Sequence, residues 1–496
     1  MYYSVEQSET LLTEILSPVV KDFDIEKCRI PKLPPPTLTI SFEEALQENK
    51  VTFIPNDCSL VFKASPVVET VLISARKLTV SEDVKKTLEL TLKFKEEKVE
   101  FQPGDSFGII CPNPFDEVKT LLKRLNILHL ADVPANLHLK NDSPGKRKLP
   151  SHIPSSLSLK NIFLHCVELR SVPKKVFLRV LAEYARKEEK KCLLFLSSQE
   201  GSELYTDYIR KPSLSLLDIL FHFKSCLPPI ERILEYLPAL RPRFYSVASS
   251  PLVDDSQFTV LFNVLKICKG EGRMTEREGV CTGWLNALSS EIQKASEPIL
   301  DTIVNGISSL NLSSKEISIF VYKRQNSHFY SPENLNCPVI MVGPGTGIAP
   351  FIGFLKHREN LMKTQNLDSN IGETWLFYGC RYKNKDFLYK EELERFQSCG
   401  VLTHLKVSFS REVCSSCNKM TKYVHENIRQ HAEGIAAAVK AGSKIFVCGD
   451  AKNMAQDVQQ AFTEVFQSNF DFNPEEANSF VRQLKKDYQY ICEVWA

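Results

Sequence analysis

The chain has 496 residues, 43% hydrophobic and 25% charged, with 62 Lys and Arg against 60 Asp and Glu for a formal net charge of +2. That balance argues against a nucleic-acid binder, and with no run of 18 apolar residues no membrane-spanning helix is expected. The length predicts two to four domains of about 100–200 residues, and the 15 scattered cysteines suit reduced thiols in a cytoplasmic protein better than a disulfide framework.

Residues 1–65 read as a linker or N-terminal extension. Met1–Thr10 is acidic and has no apolar leader. Leu11 to Ser17 can form a short helical turn that ends before Pro18, and Pro31–Pro36 must be extended because prolines cannot continue a helix. From Val67 the pattern turns to strands. Val71–Ser74 and Thr87–Phe94 are the first two, the second alternating apolar and polar residues, and a turn around Gly104 leads into Ile109–Ile110. Residues of about 115–239 show helical periodicity over Glu117–Ile127, Pro173–Lys190 and Ser213–Phe223. Lys146–Lys148 reads as a solvated loop. Strands resume at Arg243 and continue to about Phe329.

The most informative stretch is Cys337–Phe351. Val339–Val342 reads as a buried parallel strand, Gly343, Gly345 and Gly347 follow it, and an apolar-periodic helix runs over Ile348–Arg358. A strand, a glycine turn and a helix N-terminus form an anion site, because bare backbone admits a pyrophosphate and unpaired N–H groups bind it. Thr374–Tyr378, Leu405–Phe409 and Lys444–Cys448 are later strands of the same alternating strand–helix region. Their C-terminal ends should share a rim with the Gly343 turn.

Four motifs occur in order: Arg243–Ser250, Gly279–Leu285, the glycine turn and Lys444–Asp457, followed by Trp495. Together they resemble the ferredoxin–NADP reductase-like half of diflavin reductases from Arg243 onward, with weaker similarity back to Val67. The resemblance implies α/β plus all-β architecture. An antiparallel FAD-binding β-barrel over 66–335 would carry a helical connecting insert at about 115–239, and a doubly wound parallel-sheet NADPH-binding domain would occupy 336–496. It implies that Arg243, Phe244, Tyr245 and Ser246 hold FAD, with Tyr245 stacked on the ring, Arg243 on phosphate and Ser246 near N5. Gly279, Val280, Cys281 and Thr282 would meet the FAD pyrophosphate. Gly343, Gly345, Thr346 and Gly347 would hold NADPH, with Ser410, Arg411, Lys422, Tyr423 and Val424 around its 2′-phosphate. Arg381, Asp450, Asp457 and, less directly, Arg76 are further NADPH candidates.

Hydride transfer needs the reacting atoms within about 3–3.5 Å. The resemblance assigns that step to Ser246, Cys448, a carboxylate and an aromatic shield, here Glu493 and Trp495. The family usually has aspartate where this chain has Glu493, one methylene longer. Taken alone, Cys448 is equally a small buried strand residue. Cys414 and Cys417 read as a solvent loop rather than half a zinc site, no other metal site is expected, and His404 and His425 do not read as ligands.

The first glycine is Gly104, so no flavodoxin-like FMN module is expected in the first hundred residues. FMN would come from a separate domain or chain. Val280–Leu285, Phe351–Glu359 and Thr403–Arg411 resemble the branch serving the cobalamin enzyme methionine synthase more than the cytochrome reductases. Neither a nucleic acid nor a membrane is expected as partner. Two other readings stand beside this one: the FAD/NADPH module of another diflavin reductase, and a non-catalytic binding protein that chaperones a cobalamin enzyme.

Overall fold

The computed structural model describes residues 11–21, 24–42, 60–140, 148–154, 156–296, 316–326, 328–365, 371–412, 421–451 and 453–495. The expectations for Met1–Thr10, Lys146–Arg147 and Cys414–Cys417 fall outside them. The chain divides into two compact units, one formed by residues 1–61, 110–242 and 266–284, the other by 62–109, 243–265 and 285–496.

The first unit is mostly helical, and its core takes in part of the segment expected to be an extension. The helix Leu12–Lys21 buries Leu12, Leu16 and Val20, one stripe at a spacing of four. It runs through Pro18, which is exposed, and does not stop before it as the sequence led us to expect. A proline in a helix interior costs about 3 kcal/mol, but burying three apolar side chains at about 1.5–3 kcal/mol each outweighs that. Leu38–Phe42 then pairs antiparallel with Pro134–Leu139. Pro34 and Pro35 offer their carbonyls to Arg232, which is ion-paired with Glu235; Glu235 in turn accepts the Thr37 and Leu38 N–H groups at 2.6 and 2.8 Å. Residues 12–21 and 24–42 are therefore integral to this unit.

The stretch expected as one helix over 173–190 is two, Lys175–Ala182 and Lys187–Ser197. The helix Leu216–His222 starts with a capping box of Ser215 and Asp218, and Asp218 also receives Arg277 at 3.0 Å in a buried ion pair. His222 ties the unit's three stretches together. Its Nδ1 accepts the Leu12 N–H at 3.2 Å across 210 residues, and its Nε2 lies 2.7 Å from the Gly272 carbonyl, so the proton sits on Nε2.

The second unit begins with a six-stranded antiparallel sheet in the order Arg243–Ser246, Ser106–Ile109, Ser318–Lys323, Val68–Lys77, Thr87–Phe94, Gln257–Asn263. A bridge between Val247 and Val260 joins its two edges and closes the barrel. Phe94, Phe101, Phe107 and Phe258 fill it, with Phe107 stacked on Phe258 at 4.1 Å.

The same unit carries a five-stranded parallel sheet in the order His404–Phe409, Thr374–Cys380, Val339–Val342, Lys444–Asp450, Tyr490–Trp495. Alternation along the strands sorts its two faces. Val339, Met341, Phe446 and Cys448 pack with Phe351 and Phe354, together with Ala248, Leu261 and Phe329 from outside the sheet. Ile340, Val342, Ile445 and Val447 pack with Phe462 and Phe466 on the other face. From Val339–Val342 the chain builds outward first on one side and then on the other, so the strand order reverses there and opens a crevice beside Lys444–Asp450. The helix after the glycine turn spans Ala349–Gln365, longer than the periodicity indicated, behind a 3₁₀ turn at Gly345–Ile348.

Candidate nucleotide and hydride-transfer site

At the head of that crevice the glycine turn is shaped by contact. A β-carbon on Gly343 would lie 2.6 Å from the Gly347 carbonyl oxygen, and one on Gly347 would lie 2.2 Å from the carbonyl oxygen of Cys448. Gly345 differs: its φ of +58° is left-handed, and a β-carbon there would meet nothing within 4 Å. The bare backbone of Gly345 thus faces open space at the start of a helix, where N–H groups have no acceptor within the helix.

That space is a cavity of about 670 Å³, within the usual range of about 300–1,000 Å³ for small-molecule sites. Pro344 and Gly345 line it, as do Arg381, Ser410, Lys422, Tyr423, Val424 and Asp457, all named from the sequence except Pro344. Two cations, a hydroxyl and a phenol beside a bare helix N-terminus fit a phosphorylated nucleotide. The barrel adds Lys85, Thr87 and Asn263, and the sheet region adds His425, Asn453 and Met454. No motif marks Lys85, Thr87 and Asn263; Asn453 and Met454 lie within the Lys444–Asp457 motif but were not singled out, and His425 was set aside as a metal ligand. Thr346 does not line the cavity, but its hydroxyl accepts from Nδ2 of Asn263, which does, at 3.5 Å.

Other candidates are placed elsewhere. Arg76 does not line the cavity; its guanidinium pairs with Glu89 at 3.0 Å and Glu392 at 3.1 Å. Arg411 and Asp450 are exposed and do not line it either; the Arg411 N–H donates to the Arg381 carbonyl at 3.0 Å. His404 stacks on Trp375 at 3.7 Å. A wider cleft of about 940 Å³ borders Asp105, Lys323, Tyr330 and His357 and contains none of the glycine-turn residues.

Arg243–Ser246 forms a barrel edge strand, each of its four residues half-buried. Phe244 packs edge-on to Tyr322 at 5.9 Å, and Gly108 opposite leaves room for it: a β-carbon there would come within 2.9 Å of Phe244. Tyr245 lies against Phe262 at 5.5 Å, and Ser246 faces Ser106 across the strand pair. In the first unit Gly279 precedes the helix Val280–Ser296, and its carbonyl accepts the Gly283 N–H at 2.7 Å. Val280, Cys281 and Thr282 therefore form the first turn, whose N–H groups could meet an anion. Arg170 fixes the approach by bonding Glu117 at 2.6 Å and the Glu278 carbonyl.

The last strand, Tyr490–Trp495, was not read from the sequence, and it supplies two of the expected catalytic groups. In its parallel register Glu493 stands opposite Cys448, and Trp495 opposite Asp450. Cys448 is fully buried, and burial, with the Glu493 carboxylate second, pushes its thiol well up, so it is neutral. Burial raises Glu493 from 4.5 to about 7; Arg324 opposes the rise and Asp105 adds to it. Arg324 Nη1 donates to Glu493 Oε1 at 3.1 Å, while Glu493 Oε2 is buried without a hydrogen-bond partner among the described residues. Trp495 is 43% exposed, and its carbonyl accepts the Ala451 N–H at 2.8 Å.

An antiparallel barrel followed by a parallel sheet with a glycine turn at its switch point defines the ferredoxin–NADP reductase class of flavin–nicotinamide proteins. Two family profiles agree with it: FAD binding domain over residues 61–284 and oxidoreductase NAD-binding domain over residues 341–460. The chain is 39% identical to methionine synthase reductase of Rattus norvegicus, over 94% of this chain and 66% of that one. To its Homo sapiens counterpart it is 38% identical, over 99% and 68%. NADPH–cytochrome P450 reductase of Homo sapiens is 33% identical, over 82% of this chain and 56% of its own. The chain belongs to the methionine synthase reductase family of diflavin reductases. It spans about two thirds of the length of those methionine synthase reductases.

Proposed function

We propose that this chain is the FAD- and NADPH-binding portion of a reductase that draws electrons from NADPH and delivers them to a flavodoxin-like FMN domain. From there they would reach cob(II)alamin on methionine synthase, restoring that enzyme to its active form in the cytoplasm. Bound FAD supplies the conversion between a two-electron hydride donor and one-electron acceptors.

The observation that carries this reading is the cavity joining the Gly345 turn to Arg381, Ser410, Lys422 and Tyr423. Cations and hydroxyls beside a bare turn favour a nucleotide with a 2′-phosphate, hence NADPH over NADH. The protein's own groups then have distinct tasks. Arg243 and the Gly279–Thr282 turn bind phosphate, Tyr245 supports the flavin ring, and Ser246 hydrogen-bonds its reacting edge. Cys448 and Glu493 border the place where the nicotinamide must lie, and Trp495 shields it until that ring enters. Arg76 is left to structural ion pairing.

Anaerobic mixing of the FAD-loaded chain with NADPH or NADH, followed by flavin absorbance, tests the proposal. Rapid bleaching by NADPH and slow bleaching by NADH is expected. A flavin that NADPH leaves oxidised would sink it in favour of a non-catalytic binding role. Identity to a cytochrome P450 reductase over 82% of the chain supports one other acceptor class. Pairing the chain with FMN domains from each branch separates the two.

A further inference from the structure

Arg324 connects three parts of the site that the established motifs leave separate. It follows the barrel strand Ser318–Lys323, and its backbone N–H donates to the carbonyl of Ser106, the residue facing Ser246. Its guanidinium lies 5.1 Å from the ring centre of Phe244 and 5.6 Å from that of Phe62. Its Nη1 reaches Glu493 Oε1. The same residue therefore holds a ring of the FAD segment on one side and the carboxylate from the parallel sheet on the other.

The other groups around Glu493 do not share this task. Asp105 is an acid, Cys448 is a neutral thiol, and Tyr330 donates to Asp105 Oδ1 at 3.1 Å, with its own phenol raised to about 12. Lys323 lies 3.9 Å from Asp105 and bonds the Glu100 carbonyl. Among the described residues, Arg324 is the cation in salt-bridge contact with Glu493.

We propose that Arg324 is a positioning residue for hydride transfer, clamping Glu493 at a fixed reach between the Phe244 ring and the Cys448 strand. This rests on the reading of Glu493 as the carboxylate of that step. A glutamate has one more rotatable bond than an aspartate, and a bond to a guanidinium that is itself packed on two rings removes that freedom. One carboxylate oxygen is held by Arg324, and Oε2 is left without a hydrogen-bond partner among the described residues.

The test compares the full FAD-loaded chain as parent, R324Q and R324K, each with and without E493Q. E493Q should be increasingly more stable than its background as pH rises, until Glu493 is fully ionised. In the parent that gap should level off near the carboxyl's value of about 7. In R324Q it should level off roughly one pH unit higher, since the cation favouring ionisation is gone, and in R324K it should stay near the parent's. Flavin reduction by NADPH should slow about tenfold in R324Q at saturating NADPH, with KM little changed, and R324K should recover most of it. A levelling point and rate unmoved in R324Q, beside an active parent, overturn the role of Arg324 alone. A parent whose flavin NADPH does not reduce overturns the reductase reading instead. Should R324Q fail to fold, R324K decides: an unmoved levelling point with a full tenfold loss would assign the effect to ring packing and overturn the clamp.

Discussion

Gly347 and Cys448 touch through their backbones: a β-carbon on the glycine would sit 2.2 Å from the cysteine's carbonyl oxygen. The turn proposed to bind phosphate and the strand bearing the thiol proposed for the hydride site are thus one packed unit. Gly347→Ala forces the turn off the Lys444–Asp450 strand, at a cost of about 1–3 kcal/mol. Retention on a 2′,5′-ADP matrix should be lost, with a lowered melting temperature. Gly345→Ala meets open space and pays only for its left-handed backbone, about 1 kcal/mol. An equal fall in melting temperature from the two substitutions would contradict the geometry.

Lys422 lines the cavity proposed to hold NADPH. A hydrogen bond to a charged group contributes about 1.5–3 kcal/mol. Lys422→Ala should therefore weaken NADPH binding about 10- to 100-fold and leave NADH binding nearly unchanged. Calorimetric titration with both nucleotides checks this; a loss shared equally by the two would place Lys422 away from the 2′-phosphate.

Glu493 makes stability depend on pH with a defined sign. Its folded-state value is raised from 4.5 to about 7, chiefly by burial. The folded chain therefore holds a proton that the unfolded chain has released between those values, and this group's contribution to stability falls as pH rises from about 4.5 to 7. At about 1.4 kcal/mol per unit, Glu493→Gln should be more stable than the parent above pH 7 by on the order of 3–4 kcal/mol, and equal to it near pH 4. Urea unfolding at several pH values measures the difference, and the same substitution should slow flavin reduction.

Arg232 and Glu235 form an ion pair whose side chains are only 4% and 6% exposed, and they also bind the backbone of residues 34–38. Removing one partner strands a buried charge, at about 3–5 kcal/mol. Arg232→Met should expose Pro31–Pro36 to protease much sooner than in the parent, which limited digestion with mass spectrometry would detect. An unchanged cleavage pattern would mean that the proline segment is held by other contacts.

That Gly345, Arg381, Ser410, Lys422 and Tyr423 share one cavity was legible because each sits in a short local pattern at or after a strand end, whereas Lys85, Thr87 and Asn263 from the barrel do not. Val339–Val342 and Thr87–Phe94 were recognisable to the residue, since continuous burial and strict alternation are visible within a few positions. Tyr490–Trp495 was not, because only Tyr490 is fully buried in it. The Leu12–Lys21 helix was cut short in reading because Pro18 is a local signal, whereas the core beneath Val20 is not. Arg324 carries no motif; its importance arises from two rings and a carboxylate brought together from residues 62, 244 and 493. Arg76 was named as a phosphate ligand from the family resemblance, and its ion pairs with Glu89 and Glu392 could not be foreseen because those partners lie far apart in the chain.

His222 has a bearing on how the protein is made. One ring nitrogen awaits Leu12, synthesised 210 residues earlier, and the other awaits Gly272. At about 5–20 residues per second, a nascent chain carries the apolar stripe of Leu12, Leu16 and Val20 for roughly 9–35 s before the helix Lys187–Ser197, which packs against it, is made, and the Leu12 N–H waits longer still for His222. Throughout that interval the stripe is a ready target for a holdase, and changes in translation speed downstream of it should alter the yield of folded protein without altering one amino acid.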